Sequence, residues 1–185
     1  LLHSHDFRFA HEFQDQHVLI VGNGVSGEDI ALQLHKYGAK SVTISYRTRP
    51  KNFKCPEQIR EVPLVTKIDH QTVHFQDGSS QDVQSIIFCT GYLHHFPFIH
   101  DSLRLKTSRS LYPPGLYKTI FFIDQPRIMY LGMQQLTFSF NIGNIQAWIA
   151  RDFILNKLSL PSTKEEMQSD VASWQLKGES VANIT

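Results

Sequence analysis

Apolar residues in the first half of the chain fall into short runs, separated by glycine and polar turns. That texture suits strands buried on both faces of a parallel sheet. His17-Val18-Leu19-Ile20-Val21 is one such run, and Gly22-Asn23-Gly24-Val25-Ser26-Gly27 follows at once. Residues 28–37 then place Ile30, Leu34 and Tyr37 on one helical face, with Gly38 at the C-cap position. Ser41-Val42-Thr43-Ile44-Ser45-Tyr46 is β-branched and aromatic, and reads as a second strand. Strand, tight turn, helix and strand in about 30 residues predict a βαβ unit. The polar stretch holding Pro50, Cys55 and Pro56 reads as loop. Residues 64–68 and 72–75 are apolar-rich and flank Asp69-His70-Gln71. Asp77-Gly78-Ser79-Ser80 is a turn cluster, and Val83 with residues 85–89 makes a further strand. Residues 64–89 are therefore expected to form a small meander whose last strand rejoins the parallel sheet.

After Gly91 the pattern changes. Pro97, Pro113, Pro114 and Pro126 punctuate short segments, and residues 127–131 read as a strand ending at Gly132. Residues 141–158 carry Ile142, Ile145, Trp148, Ile149, Phe153 and Leu155 at helical spacing, which predicts a helix with a broad apolar face. Pro161 closes it. Ser162-Thr163-Lys164-Glu165 can cap a further short helix, and the tail from Lys177 is expected to fray. Phe138, Phe140, Trp148 and Phe153 read as core or interdomain packing.

Composition adds limits to this α/β picture. Formal net charge is +1 over 185 residues, so no bulk field draws the chain to nucleic acid or anionic lipid. No apolar run approaches the roughly 20 residues of a membrane helix. Cys55 and Cys89 form no CxxC pair and read as reduced thiols of a cytoplasmic protein. His3, His5 and His11 have no acidic or cysteine partner at ligand spacing, so no metal is expected. The chain opens on Leu1, which points to a fragment or a processed chain.

Gly22, Gly24 and Gly27 spell GxGxxG between a strand and an amphipathic helix, the setting a dinucleotide fingerprint requires. Pyrophosphate then meets the bare backbone at Gly24 and the free N–H groups at the start of the following helix. The end of the second strand chooses the nucleotide. An NAD site wants an acid there for the ribose hydroxyls. This chain offers Tyr46-Arg47-Thr48-Arg49, where Arg47 can grip a 2′-phosphate and Thr48 can donate a hydrogen bond. NADPH is the expected cofactor. Thr90-Gly91, after the last strand, and Gly132-Met133-Gln134 are further strand ends whose backbone can face a ligand.

Several segments resemble the flavin-containing monooxygenases. His3-Ser4-His5-Asp6-Phe7-Arg8 is similar to the end of that family's identifying motif. Residues 21–31, VGNGVSGEDIA, resemble its NADPH-binding glycine motif, and Phe88-Cys89-Thr90-Gly91-Tyr92 resembles its FATGY link. Residues 36–40, 46–48, 89–98 and 147–152 look nearest to the bacterial trimethylamine monooxygenase branch. The resemblance runs from His3 to about Trp174.

It implies a Rossmann-like NADPH-binding domain over residues 12–93. Residues 1–11 would be the tail of an FAD-binding domain, and residues 94–185 an incomplete C-terminal part of it. It also implies an enzyme in which NADPH reduces FAD, the flavin takes up O₂ as a C4a-hydroperoxyflavin, and an amine nitrogen or a sulfide sulfur is oxygenated. By position, Gly22, Gly24, Val25, Ser26 and Gly27 would hold pyrophosphate, and Tyr46, Arg47 and Thr48 the 2′-phosphate. Thr90 and Gly91 would line the nicotinamide junction, and Gly132, Met133 and Gln134 the flavin. No catalytic side chain is assigned, and a homodimer is left open.

The chain departs from the pattern in places. An upstream FAD glycine motif is absent. Val25 stands where the family often has Asn and the trimethylamine branch Tyr. Gln135 and Thr137 replace the acid and the tryptophan of that branch's MQDQW segment, which would change the substrate wall and points to a broader or different amine or sulfide. A catalytically incomplete NADP-binding fragment is an alternative. So is another two-dinucleotide flavoenzyme, of Baeyer–Villiger or N-hydroxylating type.

Overall fold

A computed structural model describes residues 1–52, 55–105, 112–134 and 139–182. The chain divides into two compact units, Leu1–Tyr92 and Leu93–Thr185.

The first unit is built on five parallel strands. In chain order these are β1 (Leu2–His3), β2 (His17–Val21), β3 (Ser41–Ser45), β4 (Ile59–Val62) and, after three further strands, β8 (Ser85–Phe88). They lie side by side as β1-β8-β2-β3-β4, with every neighbouring pair parallel. Helix α1 (Val25–Lys36) links β2 to β3. β5 (Val65–Asp69), β6 (Thr72–Phe75) and β7 (Ser80–Asp82) form the separate antiparallel meander.

The apolar run of β2 is explained by burial on both faces. Val18, Leu19 and Ile20 are all 0% exposed. Alternation sends Val18 and Ile20 to one side, into a cluster with Ile30, Ala31 and Leu34 of α1. Leu19 points the other way, to Val73 and Phe75 of the meander and to Val83. Each such side chain contributes about 1.5–3 kcal/mol by leaving water. The buried Thr43 is satisfied, since its hydroxyl donates to Gln81 Oε1 at 2.6 Å. That bond ties the meander to the sheet.

Several expectations need correction here. β4 lies in the stretch read as loop, and β7 adds a third strand to the meander. α1 starts at Val25, three residues before the expected 28, because Gly24 serves as N-cap. Tyr37 is half exposed and lies off the buried face, since it is the C-cap and the chain turns there.

The second unit centres on a small antiparallel pair, β9 (Leu116–Tyr117) and β10 (Phe121–Phe122). Lys118 and Thr119 between them both take positive φ, 50° and 61°. Non-glycine residues avoid that region, a β-branched one most of all. Helix α2 (Ser139–Ile154) follows, and Phe153 packs edge-on against Phe121 at 5.0 Å between ring centres. Helix α3 (Lys164–Ala182) buries Met167 and Val171 beside Ile123. Thr163 caps it, its hydroxyl accepting from the Glu166 N–H at 3.3 Å.

Three more expectations change in this unit. Residues 127–131 make no strand. A turn after Pro126 leaves one isolated bridge, Phe121 to Met129, with single bonds from Tyr130 N to Ile120 O and from Phe122 N to Ile128 O. The inward face of α2 carries Gln146 and Ala150, whereas Phe140, Ile145 and Trp148 are exposed at 88%, 46% and 59%. Finally, the helix expected to be short and to fray from Lys177 runs on to Ala182. Phe138 lies outside the described residues.

Candidate functional site

Because all five strands of the first sheet run the same way, their C-terminal ends share one edge. Ligands of open α/β sheets bind at that edge, where the strand order reverses. Here the reversal lies at β2, with β3 on one side and β8 on the other. The glycine turn sits at the end of β2, Tyr46-Arg47-Thr48 at the end of β3 and Thr90-Gly91 just past β8. All these predicted cofactor residues are thus brought to one edge of the first unit.

The turn is packed hard on its inner side and open on its outer side. Gly22 has φ +109°, and a Cβ there would stand 2.5 Å from the Cys89 carbonyl oxygen. A Cβ on Gly27 would strike the Gly22 carbonyl. A Cβ on Gly24 would meet no atom within 4 Å. Gly24 is an ordinary N-cap with φ −71° and no side-chain capping bond. The inner glycines are therefore required by the fold. The outer one leaves bare backbone N–H groups and the positive end of the helix dipole facing out. Val25 and Ser26 are exposed in that first turn. This arrangement fits a pyrophosphate. Beside it, Ser26 shares a polar cleft of about 340 Å³ with Ser4, Arg8, Asp29 and Gln33.

Past β3, the Arg47, Thr48 and Arg49 side chains are exposed, and Tyr46 is half-buried. The backbone of this basic loop is tethered on both sides. Asn23, in the glycine turn, donates through Nδ2 to the Arg49 carbonyl at 3.0 Å. Glu61 of β4 accepts from the Lys51 N–H at 3.0 Å and the Asn52 N–H at 2.9 Å. Lys51 pairs with Glu28 at 3.2 Å. Neither Asn23 nor Glu61 was singled out from sequence. The available signal was a short amide inside the glycine motif and an acid among polar residues, and both occur too often to be diagnostic.

At the third corner, the Cys89 N–H donates to Val21 O at 2.8 Å, locking β8 to β2 just below the turn. Burial pushes the Cys89 thiol up to about 11, while Ser4 pulls the other way. Ser4 Oγ itself is buried without a partner at bonding geometry, so its pull is a weak proximity effect and burial decides. Tyr92 stacks edge-on to His3 at 5.2 Å.

The second unit holds the remaining predicted residues. Gly132 is exposed with φ +74°, Met133 is buried and Gln134 half-buried. Gln146 of α2, 3% exposed, organises them. Its Oε1 accepts from the Gly132 N–H at 2.8 Å, and its Nε2 donates to Gln134 Oε1 and to Thr119 Oγ1, each at 3.1 Å. Gln134 and Thr119 also line a cavity of about 220 Å³ with Tyr112, Leu116 and Trp174. Gln135 and Thr137 lie outside the described residues.

The family model described as flavin-binding monooxygenase-like matches residues 56–182. A trimethylamine monooxygenase of Methylocella silvestris is 54% identical over 175 residues, which cover 95% of this chain and 39% of that protein. The crystal structure of Tmm from Pelagibacter sp. strain HTCC7211 superposes with a TM-score of 0.92 at 48% identity, covering 96% of this chain and 40% of that one. S-allyl-L-cysteine S-oxygenase from Allium sativum gives a TM-score of 0.76 at 31% identity, covering 97% of this chain and 42% of that one. The chain thus spans about two fifths of the length of these relatives. A family match reaching from the first unit through the second leads to one conclusion: the chain belongs to the flavin-binding monooxygenase-like family.

Proposed function

We propose that the first unit binds NADPH, and that the second contributes part of an FAD-binding domain, in an enzyme that oxygenates a soft amine nitrogen or sulfide sulfur. The observation that carries this reading is the pairing, on one sheet edge, of an outward-open glycine turn with an exposed guanidinium at the end of β3. No acid stands at that strand end to hold a ribose diol, and Arg47 suits a 2′-phosphate. Relatives named as a trimethylamine monooxygenase and as an S-allyl-L-cysteine S-oxygenase support both substrate types.

In this reading the chain's residues bind and orient. The turn from Gly22 to Gly27 and the start of α1 hold the pyrophosphate. Arg47 and Thr48 take the 2′-phosphate, with Tyr46 beside them. Thr90 and Gly91 border the nicotinamide. Gly132, Met133 and Gln134, fixed by Gln146, border the flavin, and Gln135 and Thr137 border the substrate. Bound flavin supplies the reduction of O₂ and the oxygen transfer, for which the protein provides position and a dry site. No helix among the described residues is long and apolar enough to cross a membrane. Free thiols at Cys55 and Cys89 support a cytoplasmic location.

The test uses the full-length protein containing this chain. Purified with FAD, it should consume O₂ and NADPH on addition of trimethylamine or a dialkyl sulfide, and yield the N-oxide or S-oxide. Oxidation of NADPH with no oxygenated product from either class would overturn the reading.

A further inference from the structure

The basic loop after β3 is short, exposed and carries the charge that would choose the nucleotide, yet its position is not left to the loop. Three anchors fix it within the first unit. The Asn23 amide draws the Arg49 carbonyl to the glycine turn. The two carboxylate oxygens of Glu61 take separate backbone N–H groups, Oε1 from Lys51 and Oε2 from Asn52. The Lys51 side chain reaches Glu28 in the first turn of α1. Asn52 has φ +54°, a left-handed turn that asparagine tolerates, and its N–H is held there by Glu61 Oε2. Meanwhile the Arg47 and Thr48 side chains have no hydrogen-bond partner among the described residues. The loop's backbone is held, and its binding groups are left free.

Resting on the NADPH reading above, we propose that Glu61 is a positioning residue for nucleotide preference. By clamping the turn at Lys51 and Asn52, it presents Arg47 to a 2′-phosphate at the same time as the glycine turn meets the pyrophosphate. Glu61 lies on β4, a strand the nucleotide need not touch, and it acts only through the loop. Pre-ordering of this kind contributes affinity by removing a cost of binding. The cost is specific to the 2′-phosphate, because NADH gains nothing from Arg47.

The experiment titrates the full-length protein containing this chain with NADPH and with NADH, its flavin already reduced and O₂ excluded, following heat. The wild type should prefer NADPH. Glu61→Ala should weaken NADPH about tenfold and NADH less than about twofold, the scale of one charge-assisted contact. Glu61→Gln, which keeps one acceptor and the side-chain volume, should fall between. It replaces the alanine variant as the readout if that variant fails to show the wild-type circular dichroism spectrum. Combining Glu61→Ala with Arg47→Ala should add little to Arg47→Ala alone, since one acts through the other. Equal weakening of both nucleotides, unchanged preference, or additive losses would each overturn the positioning role while leaving the NADPH reading intact. A wild type with no preference would overturn both.

Discussion

The carbonyl oxygen of Cys89 stands 2.5 Å from the point where a Cβ on Gly22 would be placed. Neither partner can retreat, because Cys89 N is bonded to Val21 O and Gly22 N to Ser45 O, each at 2.8 Å. Gly22→Ala therefore combines a backbone clash with a forbidden φ, and should destabilise the first unit by about 3 kcal/mol or more. Gly24→Ala meets neither obstacle and should leave stability within about 1 kcal/mol of wild type. It should nevertheless weaken NADPH about tenfold or more, because its methyl group occupies the pyrophosphate's approach. Urea unfolding and nucleotide titration of the two variants separate these effects. A Gly24→Ala chain that binds NADPH normally would remove the pyrophosphate from this turn.

Arg47→Ala tests the nucleotide choice directly. Losing a charge-assisted bond to the 2′-phosphate should cost about 1.5–3 kcal/mol in NADPH binding. NADH binding should barely change. An equal loss for the two nucleotides would show that the guanidinium faces something other than the 2′-phosphate.

Much of the first unit was legible because its signals are local. The βαβ unit announces itself through a continuous apolar run, a glycine turn and a helical repeat within one stretch of chain. β4 was not legible. Its Arg60 and Glu61 interrupt the pattern, and only Ile59 and Val62 are buried. A strand at the sheet's margin needs no more than that. The helix over residues 139–154 was recognised as a helix, but its inward face was misjudged, because apolar spacing marks a stripe without saying which residues find partners. Trp148 faces out while Gln146 faces in. A polar residue four positions from both Ile142 and Ala150 was the one hint of a buried amide.

That amide has a measurable role. Gln146→Leu would leave the Gly132 N–H without its acceptor and Thr119 without its donor. Stability of the second unit should fall by about 0.5–1.5 kcal/mol, the scale of a net hydrogen bond whose partners are only partly shielded from water. Denaturant unfolding checks this. An unchanged midpoint would mean that water satisfies both groups as well as the glutamine does.

Cys89 gives the chain an alkaline limit. Its thiol is raised from 9.0 to about 11 in the folded state. The fold therefore favours the protonated form, and the unfolded chain ionises first. The associated stability is complete below about 9.0 and is lost as pH climbs toward about 11. Urea midpoints measured from pH 8 upward should decline over that window and should decline less in Cys89→Ala. At pH 8 a thiol reagent should modify the half-buried Cys55 well before Cys89. Faster reaction at Cys89 would contradict the burial that raises it.

β1 has a practical corollary. Among the described residues, Leu2 and His3 cover the flank of β8, helped by the Ser4 N–H bonded to Phe88 O at 2.8 Å. Without that pairing β8 would present a row of unsatisfied amides on an apolar ribbon, an invitation to self-association. A proteolytic cut between His5 and Arg8 should loosen that pairing, and the cut sample should cloud on storage before its nucleotide affinity changes.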